Sequence, residues 1–472
     1  MTVTAKASES VQPPRVTNLP PRPKVLVVGG GFAGLHAALA LANKPVNVTL
    51  IDKGNRHTFQ PLLYQVALAV LSPADIAQPI RSILSKGRNI EVLMDEVMGF
   101  DINRRRAILA SGTEMSYDYL ILATGATHSY FGRDDWAVLA PGLKTVEDAT
   151  EIRRRVLLAF ELAEREMVET GTHPPLNFVI VGGGPTGVEL AGAIRDMSKL
   201  YLHRDFRHID TTTARVLLLE GSSRILPTYP PDLSEKAVAQ LRKLGVEVYT
   251  DQKVTDIQPG YVMAGDKRFD AVVTLWAAGV AASPLGAKLG VPTDRRGAAI
   301  VDRYLNPSGH PEIFVCGDLA HCEENGRLIP GVAQPAMQMG DHAARMIEQD
   351  MAGKPRTMFH YFDKGDMATI GHQAAVADVK WPFKAHWGGF LAWAAWLVVH
   401  IYFLIGFRNR VLVLAEWVWT YLTVRDGARL ITGSTVLPGW DHLARVHPKS
   451  KPSGAEAEQR VAVSQAASSK SS

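Results

Sequence analysis

Two glycine-rich loops carry the clearest chemical signal in the chain. Gly29, Gly31 and Gly34 stand in GGGFAG, and Gly182, Gly184 and Gly187 stand in GGGPTG. Each loop follows an apolar run suited to a buried parallel strand, KVLVV at Lys24–Val28 and NFVIV at Asn177–Val181. Each also precedes a helical pattern, LHAALALANK or VELAGAIRDMSKL. A strand, a tight turn and a helix in that order make a dinucleotide cradle. The first glycine permits the turn, the second lets a pyrophosphate reach the backbone, and the third lets helix and strand pack closely. Free N–H groups and the positive dipole end of the helix then face the phosphates.

An acidic residue belongs at the end of the next strand, where it accepts hydrogen bonds from a ribose. VTLI at Val48–Ile51 ends in Asp52, about 20 residues past the first loop. VLLL at Val216–Leu219 ends in Glu220, after a longer gap in which LYLHRDFRHIDTTTA reads as an insertion. A carboxylate at Glu220 bonds a 2′-hydroxyl and repels a 2′-phosphate, favouring NAD over NADP. Arg224 lies near enough in sequence to soften that preference. Two complete units imply two dinucleotides, with FAD in the first and NADH in the second.

Other residues have types suited to catalysis, with ordinary structural roles as alternatives. Glu189 reads as lying in the first turn of the second loop's helix, where an acid is also favoured by the helix dipole. Gln334 and Gln338 are spaced i, i+4 on a helix expected to begin near Pro335, with Gln334 at its cap. Two amides on one face can hydrogen-bond a carbonyl ligand or simply form a polar surface. Lys364 is a cation able to stabilise developing negative charge, or a plain loop lysine. His57 reads as structural, and no cluster with metal-ligand spacing is present.

These residues need elements to hold them. A chain of 472 residues implies two or three domains. A net charge of +4, with no basic block interleaved with aromatics, argues against nucleic acid. Two cysteines, Cys316 and Cys322, fit a reducing compartment; one reads as buried and one as a loop thiol. Residues 1–23 lack the apolar core of a secretory signal and read as a disordered leader. Residues 434–472, rich in Ser, Ala, Lys and Glu from His447 on, read as a largely disordered tail.

Three further segments make the sequence resemble the two-dinucleotide-binding flavoprotein superfamily. YLILATGA at Tyr119–Ala126 is similar to the strand and turn that return beside FAD, implying roles for Ala123, Thr124 and Gly125. VTLWAAGV at Val273–Val280 is similar to its counterpart in the NAD domain, implying Gly279. IFVCGDLA at Ile313–Ala320 is similar to the second FAD fingerprint, implying Gly317 and Asp318. Within the superfamily the chain resembles the type II NADH:quinone oxidoreductases. HTFQPLLYQVA at His57–Ala67, GGGPTGVELAG at Gly182–Gly192, GVAQPAMQMG at Gly331–Gly340 and YFDKGDMATIG at Tyr361–Gly371 carry that likeness. The resemblance implies that NADH reduces FAD, which then reduces a membrane quinone, menaquinone or ubiquinone, without proton pumping. It also implies Glu189 near the flavin as a proton relay, Gln334 and Gln338 at the quinone, and Lys364 near flavin or quinone oxygens.

Neighbouring chemistries fit less well. No cysteine precedes Cys316, so the redox pair of a disulfide reductase is missing. A soluble NADH-dependent ferredoxin or rubredoxin reductase would lack the apolar stretch at Gly388–Phe407 (GGFLAWAAWLVVHIYFLIGF). A non-enzymatic NADH sensor of the apoptosis-inducing-factor kind remains an alternative. The stretch is long enough for a membrane span, and Val411–Val424 follows it with Glu416 inside. Six tryptophans from Trp381 to Trp419, of nine in all, suit a membrane–water boundary. A span, an interfacial hairpin and a dimer interface all remain open; the resemblance favours the hairpin, peripheral on the cytoplasmic face of the cell membrane, and a homodimer.

The expected fold class is α/β, with two Rossmann-like dinucleotide-binding domains, one inserted in the other, and a C-terminal helical membrane-binding segment. Residues 24–144 and 302–360 are expected to bind FAD, 145–301 NADH, and 361–433 the membrane.

Overall fold

The computed structural model describes residues 22–423 and 428–438. Nearly all of the expected leader (residues 1–21) and most of the expected tail (residues 439–472) therefore lie outside the described residues. The chain divides into two compact units. Among the described residues, one comprises 22–55, 80–125 and 283–361; the other comprises 56–79, 126–282, 362–423 and 428–438.

The first unit is organised by a five-stranded parallel sheet in the order Ile313–Val315, Tyr119–Leu122, Lys24–Val28, Asn47–Asp52, Ile90–Met94. Its central strand is buried from Val25 to Val28, which explains the unbroken apolar run in place of alternation. The helix Phe32–Ala40 follows the first glycine loop and packs on the helix Ala333–Met351. They approach so closely at Gly340 that a Cβ there would stand 2.1 Å from the Ala33 carbonyl oxygen.

The second unit repeats the plan with four parallel strands, in the order Val246–Tyr249, Arg215–Leu219, Asn177–Val181, Val273–Trp276. Its helix Pro185–Asp196 continues into a wider turn at Met197–Tyr201 and further short turns, which fill the expected insertion. A buried cluster around Val179, Leu217, Trp136 and Trp276 forms part of its core.

Beyond residue 361 the expected helices are preceded by a sheet that the sequence pattern did not predict. An antiparallel sheet of Gly365–Thr369, Ala375–Val379 and Ala385–Gly389 comes first. It takes Gly388 and Gly389 into its last strand, so the 20-residue apolar stretch is not one element. A helix, Phe390–Phe403, packs Ala392 and Trp393 on Ala375 and Ala377 of that sheet. A second helix spans Phe407–Thr423. Gly389 and Gly406, at φ 73° and 87°, supply the left-handed backbone at the breaks. At 1.5 Å per residue the 14- and 17-residue helices reach about 21 and 26 Å, short of a hydrocarbon core of about 30 Å. Among the described residues no helix is long and apolar enough to cross a membrane.

Candidate functional site

The two glycine loops close on the same geometry in their separate units. In the first, Gly29 has φ 101°, and a Cβ there would lie 2.5 Å from the Ala123 carbonyl oxygen. A Cβ on Gly34 would lie 1.8 Å from the Gly29 oxygen, so loop and helix cannot accept a side chain. Gly31 meets nothing within 4 Å, leaving an open approach to its backbone. Asp52 ends its strand with Oδ2 accepting the Gly30 N–H at 2.6 Å and Oδ1 accepting the Gly54 N–H at 2.7 Å. Each oxygen keeps a second lone pair for a ribose hydroxyl.

Neighbouring strands bring the other expected FAD contacts to the same carboxyl edge. The Ala123 N–H donates to the Val28 oxygen at 2.8 Å, and the Cys316 N–H donates to the Leu122 oxygen at 3.0 Å. Thr124 and Gly125 thus leave the sheet beside Gly317 and Asp318, where open parallel sheets bind ligands. Gly125 and Gly317 take positive φ, 65° and 71°. Thr124 Oγ1 is buried without a hydrogen-bond partner among the described residues. A buried hydroxyl lacking a partner beside an open glycine cradle fits a dinucleotide rich in hydroxyl and phosphate groups.

In the second unit Gly182 has φ 109°, and its Cβ would strike the backbone of Ala277 at 2.5 Å. A Cβ on Gly187 would lie 1.9 Å from the Gly182 oxygen, whereas Gly184 again faces open space. Glu220 Oε2 accepts the Gly183 N–H at 2.6 Å, and Oε1 accepts the Ser222 N–H and hydroxyl at 2.7 and 2.8 Å. Arg224 donates to the carbonyls of Tyr229 and Pro227 at 2.8 and 2.7 Å and to Ser234 Oγ at 3.1 Å. Its guanidinium is thus committed to protein partners. Gly279 is accounted for by packing, since a Cβ there would lie 2.7 Å from the Phe131 ring.

The catalytic candidates divide between the units. Gln334 and Gln338 belong to the first, half-buried near the start of the helix Ala333–Met351. That helix begins two residues before the expected Pro335, so Gln334 lies inside it and Val332 is the cap. Proline is tolerated in a first turn because the N–H it lacks would have no intrahelical partner. Glu189 and Lys364 belong to the second unit. Glu189 is the fifth residue of its helix, past the first turn, so a dipole-favoured cap does not explain it. Glu189 is half-buried. Loss of hydration pushes its pKa up to about 8, against the opposing pull of the Thr369 backbone N–H.

Lys364 immediately precedes the strand Gly365–Thr369, whose far end meets Glu189. The strand rise separates Lys364 from Thr369 by roughly 17 Å along the chain. The Lys364 ammonium instead lies 5.3 Å from the centre of the Phe403 ring.

Sequence reasoning passed over the polar groups around Glu189. Gly192 meets the turn after this strand closely, its Cβ position lying 2.5 Å from the Gly371 nitrogen. Tyr64, within the segment His57–Ala67, sits with its OH 2.9 Å from Thr369 Oγ1 and accepts from Gln65 Nε2 at 3.0 Å. Gln65 Oε1 in turn accepts from Trp417 Nε1 at 2.8 Å. The available signal was a glutamine inside the apolar run PLLYQVA. Both cysteines are fully buried, Cys322 in the link between the strands Ala320–His321 and Glu323–Glu324. Burial raises both thiols, that of Cys322 to about 11. His57 is buried, and no metal-binding group of residues occurs among those described.

Comparisons with known proteins agree with this geometry. Residues 23–340 match the family model for pyridine nucleotide-disulphide oxidoreductases, and residues 364–426 match the NDH2 C-terminal domain. The type II NADH:quinone oxidoreductase Ndh of Mycobacterium tuberculosis is 41% identical over 438 residues, covering 90% of this chain and 92% of the relative. Among solved structures, NDH2 from Plasmodium falciparum in complex with NADH aligns with a TM-score of 0.76 at 21% identity, over 88% of this chain and 100% of that one. The sulfide:quinone oxidoreductase of Aquifex aeolicus aligns at 0.67 and 19% identity, over 85% and 95%. At such identities the structures establish a shared fold.

Proposed function

The chain belongs to the type II NADH:quinone oxidoreductases, within the pyridine nucleotide-disulphide oxidoreductase family, and from that premise we propose how its residues divide the work. It is a single-subunit NADH dehydrogenase that reduces a quinone without pumping protons, with FAD and NADH as its cofactors. When bound, FAD accepts hydride from NADH and passes two electrons to the quinone. The full-length likeness to a named quinone reductase sets aside both the ferredoxin-reductase and the sensor readings.

In the proposed division, residues 24–144 and 302–360 hold FAD and 145–301 hold NADH. Gly29, Gly31, Gly34 and the helix end grip the FAD pyrophosphate, while Asp52 takes its ribose. Ala123, Thr124, Gly125, Gly317 and Asp318 line the same strand edge. Gly182, Gly184 and Gly187 grip NADH, Glu220 takes its ribose, and Gly279 shapes the closing turn. Gln334 and Gln338 offer amide donors to the quinone carbonyls, and Glu189 supplies a proton to the reduced quinone. A carboxyl with a pKa near 8 still holds its proton at neutral pH, which is the observation that carries this role. Lys364 lends positive charge from its place beside Phe403.

Residues 361–433 seat the enzyme on lipid. The two C-terminal helices expose Phe390, Leu391, Val398, Tyr402, Leu414 and Trp419, apolar and aromatic groups suited to the headgroup boundary. Neither described helix is long enough to span. The proposed seat is peripheral, on the cytoplasmic face, where NADH is available. The quinone is menaquinone or ubiquinone, and the family likeness supports a homodimer. Gln338→Ala tests the quinone assignment: reoxidation of the reduced enzyme by quinone should slow about tenfold or more, the worth of one well-placed hydrogen bond. Unchanged reoxidation would remove Gln338 from the quinone site.

A further inference from the structure

The turn between the strand Arg215–Leu219 and the helix Pro231–Leu244 folds back onto the second glycine loop. There the Leu226 N–H donates to the Gly183 oxygen at 2.8 Å. The Gly183 N–H goes to Glu220 Oε2 at 2.6 Å, so the peptide groups on both sides of Gly183 are held. The Gly183 carbonyl and the Gly184 N–H share one planar trans peptide and point in opposite directions. The bond from Leu226 therefore also sets where the Gly184 N–H points, at the glycine that faces open space. Leu226 makes this bond from a left-handed backbone, φ 48°, which leucine seldom adopts and which persists only where its surroundings fix it. Ile225 and Leu226 are buried, and a Cβ on Gly183 would meet Ile225 Cγ2 at 2.8 Å, so turn and loop are in contact. Arg224 closes the turn from within. Its Nη1 donates to the Tyr229 oxygen and Ser234 Oγ at 2.8 and 3.1 Å, and its Nη2 to the Pro227 oxygen at 2.7 Å. Ser234, buried on the helix, in turn lies 3.3 Å from the Leu226 oxygen through Oγ.

We propose that Arg224 is a positioning residue for NADH: its guanidinium closes the turn, the turn holds the Gly183–Gly184 peptide through Leu226, and the Gly184 N–H is thereby aimed at the pyrophosphate. The inference rests on Gly182, Gly184 and Gly187 as the NADH loop of the proposed function. It differs from the role that an arginine near a ribose acid suggests by its type. An arginine that reaches a 2′-phosphate favours NADPH alone. A brace behind the pyrophosphate loop favours NADH and NADPH alike, because both carry the same pyrophosphate. The fork of the guanidinium suits this task, since its N–H groups meet three acceptors spread over the turn and the helix from one rigid plane.

The test is steady-state kinetics of the detergent-purified holoenzyme with NADH and with NADPH. Arg224→Met keeps a long side chain and removes the donors. It should raise the KM for NADH about three- to tenfold, the worth of one hydrogen bond lost at the loop, and the KM for NADPH by the same factor. The kcat and the flavin content should stay unchanged. Ser234→Ala leaves Arg224 in place with one acceptor fewer and should raise both KM values about twofold. It decides the matter if the methionine variant does not fold. KM values unmoved for both nucleotides overturn the inference, even with a lower melting temperature, since that marks a merely structural role. A loss confined to NADPH also overturns it, since that makes Arg224 a phosphate ligand. If NADH still bleaches the flavin of Gly187→Ala, the assignment of this loop to NADH itself fails, whatever Arg224 does.

Discussion

Glu220 Oε2 accepts the Gly183 N–H at 2.6 Å, the same relation that Asp52 Oδ2 holds to Gly30 at 2.6 Å in the other unit. In each unit the acid locks the glycine loop, and in the proposed division of the work it also takes a ribose. Removing the negative charge of Glu220 should therefore weaken NADH binding without touching FAD. Glu220→Gln is expected to raise the KM for NADH about tenfold, consistent with one charged hydrogen bond, and to narrow the preference over NADPH. Steady-state kinetics with both nucleotides checks this, and an unchanged ratio of their kcat/KM values would remove Glu220 from the ribose site.

The third glycines separate the two nucleotide sites genetically. A Cβ on Gly34 or Gly187 would stand 1.8 or 1.9 Å from a backbone oxygen that cannot move without opening the loop. Gly34→Ala should yield protein lacking flavin, read from its visible spectrum. Gly187→Ala should retain flavin that NADH no longer bleaches. Flavin loss in both, or in neither, would contradict the assignment of one nucleotide to each loop.

These loops were legible because strand, turn and helix are adjacent in sequence, so local sterics write the motif directly. The surroundings of Glu189 were not, because Thr369 and Trp417 lie 305 and 352 residues from the partners they meet. The apolar stretch from Gly388 misled for a different reason. Its hydropathy is continuous, whereas positive φ at Gly389 ends the strand and positive φ at Gly406 precedes the second helix. Composition reported how apolar the segment is, and only the backbone divides it into a strand end and two short helices.

Glu189 should impose a pH limit on the second half of the reaction. Its raised pKa keeps the carboxyl protonated below about pH 8 and ionised above it. Quinone-dependent reoxidation should thus fall as pH rises through about 8, while reduction by NADH does not share that limit. Glu189→Gln should slow reoxidation about a hundredfold and abolish the break, as expected for a lost general acid. Stopped-flow rates from pH 6 to 9.5, in steps of about half a unit, give the profile.

His400 should make the C-terminal helices sensitive to acid. Burial holds its pKa down to about 4, although Nδ1 lies 2.8 Å from the Trp396 carbonyl, a bond that favours the charged form. Because the folded pKa lies below the ordinary value, the unfolded chain takes up the proton first. The resulting stability is present above about pH 6.5 and is lost as pH falls towards 4, with an upper bound of about 3 kcal/mol. Thermal melts followed by tryptophan fluorescence should show a smaller drop between pH 7 and 5 in His400→Phe than in the wild type.

Electron transfer from NADH to a quinone is tested most directly by sequential-mixing stopped-flow of the purified enzyme in detergent. NADH should bleach the flavin absorbance rapidly, and a short-chain quinone added next should restore it within the turnover time. The double variant with both cysteines replaced by serine should behave alike, since both thiols are buried and held in the protonated form. A flavin that NADH reduces but quinone leaves reduced would contradict the assigned activity, as would a flavin that NADH fails to bleach.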